Sequence, residues 1–540
     1  MKLASVRQRL PDWKNALLAL ASAVLLILAF PDFEYWPLAW IALVPLMWAV
    51  ERVKDSAAKA FVLGWIFGTA FFFGTCWWLT FAPITYAGFP AILAYGLFFF
   101  VAAAAGIFPA LFAAVLAKLL NRFGSIAILA APFIWVFTEF LRYWVTGNNW
   151  NALGYSQAFV IPAGVSSLHL ANIGGIYLTS FSNASSSVLA YLAMDWIVPS
   201  VISRTPFEYK YELPLKISFW FVTVSVFALI LTAPRAQSTN VMPKTKIIAI
   251  QPNVPMSGLT YAKWQELRQR HVQLAETALA KLNEQRATNN EQPTTVIFPE
   301  SPMNFEYETD PETRRFIDSF ASRHNVSVLF NSAEPDATNG KVFNSAVMVS
   351  PAGREVAQYD KIYLLPFGEA VPFPLEGLLP GFVGNFSYGR EYDLLPLGDA
   401  KAGVMICFES HFGQLSRRYV ADGADVIIEM TNDGYLGPTP VLRQHLASAV
   451  FRAVETNRPV LRVTNVGLTA YINEKGAVLD AAPVYQEDTR IWSVSKSDGS
   501  QTFYVRYGDW FAWLCSAVTL VLLILSFSRR EISVLSANSA

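Results

Sequence analysis

The distribution of apolar residues along the chain constrains its fold more than any other feature of the sequence. Long apolar runs fill the region before residue 234 and recur near the end, whereas the stretch between them has an ordinary polar composition. A helix crosses a hydrocarbon core of about 30 Å with about 20 apolar residues. Only 15% of the residues are charged, against about 25% in soluble domains. The sequence therefore predicts membrane-spanning helices on both sides of a globular domain.

Eight apolar segments are candidate spanning helices. They cover Ala16 to Phe30 and residues 37–50, 60–83, 90–118, 125–145, 163–194, 215–233 and 509–528. The first also has the make-up of a signal peptide, but a second apolar segment follows without a convincing cleavage site, which favours a retained helix. The sixth is rich in Ser and Asn, so we expect it to pack inside a bundle rather than face lipid.

Loop charge predicts how these segments are oriented. Lys and Arg cluster after the second, fourth, sixth and eighth segments, whereas the loops after the first and third contain neither. Positively charged loops stay on the cytoplasmic side. We therefore expect both termini in the cytoplasm, seven helices within residues 1–234, an extracytoplasmic domain over 235–506, and an eighth helix with a short cytoplasmic tail over 507–540.

The polar middle of the chain has the pattern of an α/β domain. Short apolar strands, such as 246–250, 294–298 and 402–406, alternate with helical stretches such as 261–285 and 440–456. This alternation predicts a mixed sheet with helices outside it. The 41 basic and 41 acidic residues of the chain cancel, so charge gives no indication of nucleic acid binding.

One cysteine stands at the end of a predicted strand in this domain. The stretch AGVMICFES places Cys407 directly after an apolar run, and no other cysteine occurs in the domain. Most single cysteines are buried structural residues, and Cys76 and Cys515, inside apolar segments, keep that interpretation. Cys407 lacks a disulfide partner in its domain, and a strand end can present both a thiol and backbone N–H groups to a substrate. We therefore interpret Cys407 as a candidate nucleophile.

A nucleophilic thiol needs a base and a group that stabilises an oxyanion. Two other strand ends offer them, the FPE stretch that ends in Glu300 and the YDK stretch that ends in Lys361. A carboxylate directly after an apolar run is costly unless it is used or paired, which singles out Glu300. His411 is the one histidine near the Cys407 motif, and the five histidines lack metal-ligand spacing. This argues against a Cys–His pair and against a metal site.

FPE, YDK before LLPFGE, and ICFE, in this order, resemble the Glu–Lys–Cys signature of the nitrilase, or carbon–nitrogen hydrolase, superfamily. The likeness covers about residues 244–495, and together with the surrounding apolar segments the chain resembles the apolipoprotein N-acyltransferase family. The resemblance implies a multi-pass α-helical membrane bundle of about eight transmembrane helices plus an α/β nitrilase-like αββα sandwich domain. It also implies the bacterial cytoplasmic (inner) membrane, with the catalytic domain on the periplasmic side.

The resemblance assigns catalytic and supporting roles. Cys407 would be the nucleophile and Glu300 the general base. Lys361 would stabilise the tetrahedral oxyanion together with the backbone N–H of Phe408. Glu369 would orient Lys361 and help proton transfer.

Further residues are candidates for support and for substrate binding. Glu409 matches another functionally important glutamate of the family, and Trp264 matches a tryptophan on a loop that covers the substrate. Trp150 is a candidate for the wall of a substrate entrance. Leu378 and Leu379 lie on an apolar stretch suited to dip into the outer leaflet and admit acyl chains.

The chain departs from the family pattern at two places. Phe408 stands where the family usually has Tyr, and residues 434–436 are Gly-Tyr-Leu where the family usually has Ala-Trp-Phe. These differences bear on substrate contacts rather than on the Glu–Lys–Cys set.

The implied reaction transfers a fatty acyl chain from a membrane phospholipid to the α-amino group of the diacylglyceryl-cysteine of apolipoproteins, through a thioester on Cys407. The partners would be a phospholipid acyl donor, a diacylglyceryl-modified lipoprotein acceptor and membrane lipid, without nucleic acid, cofactor or metal. One alternative is a membrane-tethered amidase of nitrilase type, with the same residues and water as acceptor. Another is a transporter with an outer binding domain, which would need ionisable residues along a membrane path, and the sequence offers almost none.

Overall fold

The first and last segments of the chain form a helical unit, and the middle forms a unit of two β-sheets with covering helices. The computed structural model describes residues 10–160, 167–197, 245–285, 292–366, 368–371 and 386–528. The seventh predicted segment, 215–233, lies outside these ranges. Leu378 and Leu379 also lie outside them.

The helical unit contains several helices suited to a membrane. The α-helices of the described chain are α1 (Trp13–Ala29), α2 (Val44–Arg52), α3 (Ala57–Thr75), α4 (Phe81–Thr85), α5 (Ala91–Ala105), α6 (Ile107–Phe123), α7 (Ala131–Thr146), α8 (Ala171–Ile197), α9 (Tyr261–Gln285), α10 (Pro311–His324), α11 (Gly413–Ala421), α12 (Val441–Thr456), α13 (Phe503–Tyr507) and α14 (Trp510–Phe527). Within the described ranges, four stretches are long and apolar enough to cross a membrane: Ala57–Thr75, Ala91–Phe123, Ser125–Thr146 and Trp510–Phe527. The apolar α1 is shorter, with 17 residues. The predicted helical region is therefore present, and the count of eight spans stays a prediction.

The second predicted segment, 37–50, does not form one helix. It folds as a 3-10 turn, Trp36–Trp40, followed by the nine-residue α2. Pro37 and Pro45 explain the break, because proline lacks an N–H donor and is accepted only in the first turn of a helix. Nine helical residues are too few to cross a bilayer by themselves.

The polar sixth segment, by contrast, is buried as its composition predicted. Ser180, Asn183 and Ser187 on α8 are fully buried. Ser180 Oγ accepts the Gly154 N–H at 2.9 Å, and Asn183 Nδ2 donates to the Leu153 carbonyl at 3.3 Å. These side chains hold a 3-10 turn of the preceding loop inside the helical unit.

The middle unit contains two sheets. The strands are β1 (Thr245–Gln251), β2 (Thr294–Ile297), β3 (Ser327–Pro335), β4 (Val342–Val349), β5 (Glu355–Asp360), β6 (Phe386–Ser387), β7 (Leu394–Leu397), β8 (Ala400–Ile406), β9 (Val426–Thr431), β10 (Val460–Thr464), β11 (Ala470–Ile472), β12 (Val478–Leu479) and β13 (Asp488–Val494). The first sheet has the order β13-β1-β2-β3-β4-β5, with β6 beside β4, and the second has the order β12-β11-β10-β9-β8-β7. The strands β1, β2 and β3 run parallel, as do β8, β9 and β10. The sequence did not predict β6, β7 or β13.

The two sheets pack against each other between two layers of helices. Alternate residues of β1 point to opposite faces: Ile247 and Ala249 belong to the core shared with the second sheet, whereas Ile248 and Ile250 pack in the core beneath α9 and α10. The helices α11 and α12 contact β8 and β10 of the second sheet. This helix–sheet–sheet–helix order is that of the predicted αββα sandwich.

Gln444 on α12 joins the two units. Its Oε1 accepts the indole N–H groups of Trp78 at 3.1 Å and of Trp150 at 3.0 Å. Its Nε2 donates to the backbone carbonyls of Pro31 at 3.1 Å and of Thr75 at 2.9 Å. The buried amide thereby uses both lone pairs and both N–H donors, and every partner belongs to the helical unit.

Replacing Gln444 by Leu should destabilise the junction, because the indole N–H of Trp150 and the carbonyl of Pro31 lose this partner, while Trp78 and Thr75 keep only their bond to each other. Each buried polar group left unpaired costs about 1–3 kcal/mol, so we expect a clear fall in the melting temperature of the purified protein in detergent. The matched control is Gln269→Leu on the exposed face of α9, which should leave the melting temperature unchanged. Equal melting temperatures for the two variants would contradict the role of Gln444 at the junction.

Candidate active site

Three strand ends meet where the two sheets pack together. Glu300 follows β2 and Lys361 follows β5 in the first sheet, whereas Cys407 follows β8 in the second. The Glu300 carboxylate lies close enough to the Cys407 thiol for its charge to raise the pKa of that thiol, and the charge of Lys361 acts on both groups. The fold therefore brings the glutamate, the lysine and the cysteine of the sequence motifs into one site.

Glu300 is placed to exchange a proton with the thiol. Its carboxylate accepts hydrogen bonds from Asn344 Nδ2 at 3.0 Å and from the backbone N–H of Asn432 at 3.1 Å. Burial raises the pKa of Glu300, and the positive charge of Lys361 opposes that rise. A carboxyl group whose pKa is shifted towards neutrality can accept a proton and return it within one reaction cycle.

Lys361 carries its charge in the protein interior, with 1% of its surface exposed. Its Nζ lies 2.8 Å from the carboxylate of Glu369. That carboxylate also accepts Asn344 Nδ2 at 2.7 Å and the Leu365 N–H at 2.8 Å. Burial alone would lower the pKa of Lys361, but the carboxylates of Glu369 and Glu300 outweigh burial and raise it. The amine is therefore a fixed positive charge.

Cys407 begins the 3-10 turn Cys407–His411, hereafter the nucleophile turn, with a left-handed backbone at φ 52°. Burial and the carboxylate of Glu300 raise the pKa of the thiol well above its usual value, and Lys361 opposes them. The resting thiol is therefore protonated and needs the adjacent base to become a nucleophile. The first N–H groups of a helical turn have no partner within it, which leaves backbone donors beside the sulfur.

Glu409 ties the nucleophile turn to the strand end that carries Lys361. Its buried carboxylate accepts hydrogen bonds from Tyr359 Oη at 2.8 Å and from the backbone N–H groups of Ile362 at 2.7 Å, Tyr363 at 3.0 Å and Ile406 at 2.8 Å. Burial raises the pKa of Glu409 to about 7. Because its donors belong to both sheets, Glu409 sets the distance between Cys407 and Lys361.

Two of the aromatic candidates, Phe408 and Trp150, pack around His411, the last residue of the nucleophile turn. Phe408 is buried, and its ring stacks near His411 with centroids 5.5 Å apart. The Trp150 ring stacks on the ring of His411, with centroids 3.9 Å apart and an angle of 14° between the ring planes. Its indole N–H also donates to Gln444 at the junction. The structure therefore places Trp150 between the two units, packed on the last residue of the turn.

Trp264 lies at the edge of the core beneath α9 and α10. Its Nε1 donates to the Met303 carbonyl at 2.9 Å, in the loop that follows Glu300, and its ring packs edge-on to Phe305. Trp264 thus contacts the segment that leads away from the base. Throughout the described ranges, no cluster of three or more His, Cys, Asp or Glu side chains has a metal-binding arrangement.

Sequence reasoning missed two residues that the fold brings to the site. Asn344, inside β4, donates to both Glu300 and Glu369, and the available signal was that Asn is uncommon in strand interiors. His445, on α12, lies with Nε2 3.0 Å from the backbone carbonyl oxygen of Cys407. The expectation that His411 alone is near the motif was wrong, because 38 residues separate His445 from Cys407 and only packing joins them.

A segment of the helical unit closes one side of the site. Tyr86, directly after α4, donates its hydroxyl to the Gly434 carbonyl at 3.3 Å. Its ring meets that of Tyr435 edge-on at 6.2 Å. Burial, followed by the charge of Glu300, raises the pKa of Tyr435. Residues 434–436, which depart from the usual family pattern, therefore face both the site and the helices.

Known proteins match both units of the chain. The family model of the apolipoprotein N-acyltransferase N-terminal domain matches residues 22–189, and that of the carbon–nitrogen hydrolases matches residues 251–503. A relative from Geobacter metallireducens, named apolipoprotein N-acyltransferase, is 32% identical over 97% of this chain and 99% of its own length. The chain belongs to the apolipoprotein N-acyltransferase family.

Other apolipoprotein N-acyltransferases match over most of their length. That of Vibrio parahaemolyticus is 29% identical, covering 92% of this chain and 94% of its own. A solved structure of a mutant amidase of the nitrilase superfamily, from Nesterenkonia AN1, has a TM-score of 0.36 and 17% identity, covering 50% of this chain and 96% of its own. The family matches confirm the predicted nitrilase-like domain and the predicted membrane acyltransferase.

Replacing Lys361 by Met should strongly destabilise the protein, because it leaves the carboxylates of Glu369 and Glu300 without their counter-charge. Breaking a buried ion pair lowers the free energy of unfolding by about 3–5 kcal/mol. We expect this loss to appear as a fall in the melting temperature. The matched control is Lys263→Met, which removes a surface pair with Glu266 worth about 0–1 kcal/mol. Adding Glu369→Gln to the Lys361→Met variant should recover part of the loss, and a double variant less stable than Lys361→Met would contradict this account.

Proposed function

We propose that this chain transfers a fatty acyl chain from a membrane phospholipid to the α-amino group of the diacylglyceryl-cysteine of apolipoproteins, in two half-reactions through a thioester on Cys407. One observation carries the proposal: the partly buried Cys407 thiol lies beside the Glu300 carboxylate, whose pKa burial raises, and beside the buried Lys361 ammonium group. Membership of the apolipoprotein N-acyltransferase family supports the choice of the two substrates.

In the first half-reaction Glu300 takes the proton of the Cys407 thiol, and the thiolate attacks the carbonyl carbon of a phospholipid ester. The carbonyl oxygen becomes an oxyanion, which the Lys361 ammonium and the backbone N–H of Phe408 stabilise. The tetrahedral intermediate then breaks its bond to the glycerol oxygen. Glu300 returns the proton to that oxygen, so a lysophospholipid leaves and the acyl chain stays on sulfur.

In the second half-reaction the α-amino group of the diacylglyceryl-cysteine attacks the thioester. Glu300 takes a proton from the attacking nitrogen as the C–N bond forms, and Lys361 again faces the oxyanion. The C–S bond breaks, the proton passes back to the sulfur of Cys407, and the amide leaves. A thioester suits this step, because amines attack it more readily than they attack an oxygen ester.

The supporting residues act through position and charge. Glu369 holds the amine of Lys361, and Asn344 holds both carboxylates, so the base and the oxyanion partner stay at a fixed distance. Glu409 keeps the nucleophile turn against the Lys361 strand end. We propose Trp264 as a substrate contact, supported by its bond to the loop after Glu300, and assign Trp150 to bracing the turn at the junction.

The first half-reaction predicts an acyl group on Cys407. We expect the purified full-length protein, mixed with a labelled phospholipid and no acceptor, to gain the mass of one fatty acyl chain at Cys407, removable by hydroxylamine. Cys407→Ala should gain none, and Glu300→Gln should slow acylation by about 10²–10⁴-fold. Mass spectrometry and rapid quenching measure both.

The control is Cys515→Ala, which removes a buried cysteine of α14 far from the proposed chemistry and should acylate at the wild-type rate. Hydrolysis of a small amide by a protein that gains no acyl group from phospholipid would instead favour the membrane-tethered amidase. Full activity of Cys407→Ala would favour the transporter.

We further propose that residues 1–234 form the membrane domain, that 235–506 form a catalytic domain on the periplasmic side of the bacterial inner membrane, and that 507–540 cross once and end in the cytoplasm. Side chains directed away from the protein support a lipid-facing surface. They include Ile92, Phe100, Ile524 and Phe527, which are 86%, 71%, 69% and 68% exposed.

Single cysteines test this orientation in a chain whose three natural cysteines are replaced by Ala. Asp55→Cys lies in the positively charged loop after α2, and Gln269→Cys lies on the catalytic domain; both positions are exposed. A membrane-impermeant maleimide should label Gln269→Cys in intact spheroplasts and Asp55→Cys only after lysis. The reverse pattern would place the catalytic domain in the cytoplasm.

A further inference from the structure

The carbonyl of Cys407 is the acceptor of an unusual buried donor. A residue other than glycine in the left-handed region persists only where its surroundings hold it, and Cys407 has φ 52°. His445 Nε2 lies 3.0 Å from the Cys407 carbonyl oxygen. This contact acts on the backbone of the nucleophile rather than on its sulfur.

The ring of His445 is protonated at both nitrogens. Nδ1 lies 2.6 Å from Asp433 Oδ1, and Nε2 faces the carbonyl oxygen of Cys407, so each nitrogen meets an acceptor and must donate. Burial alone would lower the pKa of His445, but the carboxylates of Asp433 and Glu429 outweigh it and raise the pKa to about 9. His445 is therefore an imidazolium at neutral pH.

A closed set of charges surrounds this imidazolium. Arg462 lies 2.7 Å from Asp433 and 2.5 Å from Glu429, and His445 lies 3.2 Å from Glu429. The two acids and two cations are each at most 3% exposed. With His445 protonated the set is neutral, whereas a neutral ring would leave a net negative charge behind the thiol.

Other titratable groups complete the surroundings of the ring. The charged and titratable groups around it are Glu429 on β9, Asp433 in the turn after β9, Arg462 on β10, Cys407 and His411 in the nucleophile turn, and Arg452 on α12. His411 stacks on His445 with centroids 5.2 Å apart. Burial, followed by the charge of His445, lowers the pKa of His411 well below its usual value, so His445 alone of the two rings carries the charge.

We propose that His445 is a positioning residue for the acyl transfer: its Nε2–H holds the Cys407 carbonyl and so fixes the left-handed backbone that aims the sulfur at Glu300. This inference rests on the proposed role of Cys407 as nucleophile. The same bond orients the following peptide, so the backbone N–H of Phe408 stays directed at the developing oxyanion. Asp433, Glu429 and Arg462 keep His445 protonated and its ring in place.

Two substitutions separate the two ring nitrogens. In His445→Gln the side-chain amide reaches the place of Nε2 and can still donate to Cys407, whereas in His445→Asn it reaches only the place of Nδ1 and keeps the contact with Asp433. We expect His445→Asn to slow single-turnover acylation of Cys407 by about 10²-fold, the effect of a small misplacement of a reacting group. His445→Gln should keep most of the wild-type rate.

The measurement uses the full-length protein in nanodiscs of a labelled phospholipid, with acyl mass on Cys407 as readout. The lipid concentration for half-maximal rate should be unchanged in both variants, because the lipid site is untouched. A wild-type rate in His445→Asn, or an equal loss in both variants, overturns the proposal. If wild-type protein gains no acyl group at Cys407, the proposed function itself fails, which the wild-type arm reveals before either variant is compared.

A second measurement uses only the wild-type protein, so its outcome does not depend on whether a variant folds. In the wild-type protein the acylation rate should fall as pH rises through about 9, where His445 loses its proton. The pKa of His445 is higher in the folded protein than in the unfolded chain. The stability that its charge contributes to the folded state is therefore fully present below about pH 6.5 and is lost as pH rises through the folded pKa. A wild-type acylation rate that stays level through pH 9 overturns the proposal, whatever the variants do.

Discussion

The pairing of one buried positive charge organises the catalytic end of this molecule. An isolated ammonium group in a protein interior is prohibitively costly, so Lys361 is stable only where Glu369 and Glu300 surround it. Those carboxylates in turn need donors, and Asn344 supplies one to each. Because Cys407 comes from the second sheet, the full set exists only when both sheets are packed. The buried charges are therefore compensated in full only when the two sheets are packed together.

Three consecutive residues of α12 connect this centre to the membrane side. Arg443 makes a bidentate contact with Glu34 at 2.7 and 2.8 Å, and Gln444 holds carbonyls and indoles of the helical unit. The next residue, His445, bonds the carbonyl of Cys407. One turn of helix thus contacts the helical unit through two of its residues and Cys407 through the third, so the two units share a single element.

Local signals in the sequence singled out Glu300 and Cys407, whereas Lys361 was singled out by the resemblance to the nitrilase superfamily. Glu300 and Cys407 each follow an apolar strand, where a polar group is costly unless it is used, whereas Lys361 follows β5, a strand of mostly polar sequence. The site partners Asn344 and His445 were not predictable in this way, because their role depends on which strand or helix packs beside them. The segment 37–50 was mispredicted as one helix, since mean apolarity does not register that Pro37 and Pro45 interrupt it.

Tyr86 has a consequence for how the enzyme responds to its lipid surroundings. It belongs to the helical unit, yet it bonds the carbonyl of Gly434, two residues after the Asn432 amide that holds Glu300. Helices tilt to match a thinner or thicker bilayer, so a movement of the helical unit that displaces Tyr86 would act, through that bond, on the turn that contacts Glu300. Bilayer thickness would in that case affect the position of Glu300, separately from the identity of the lipid consumed.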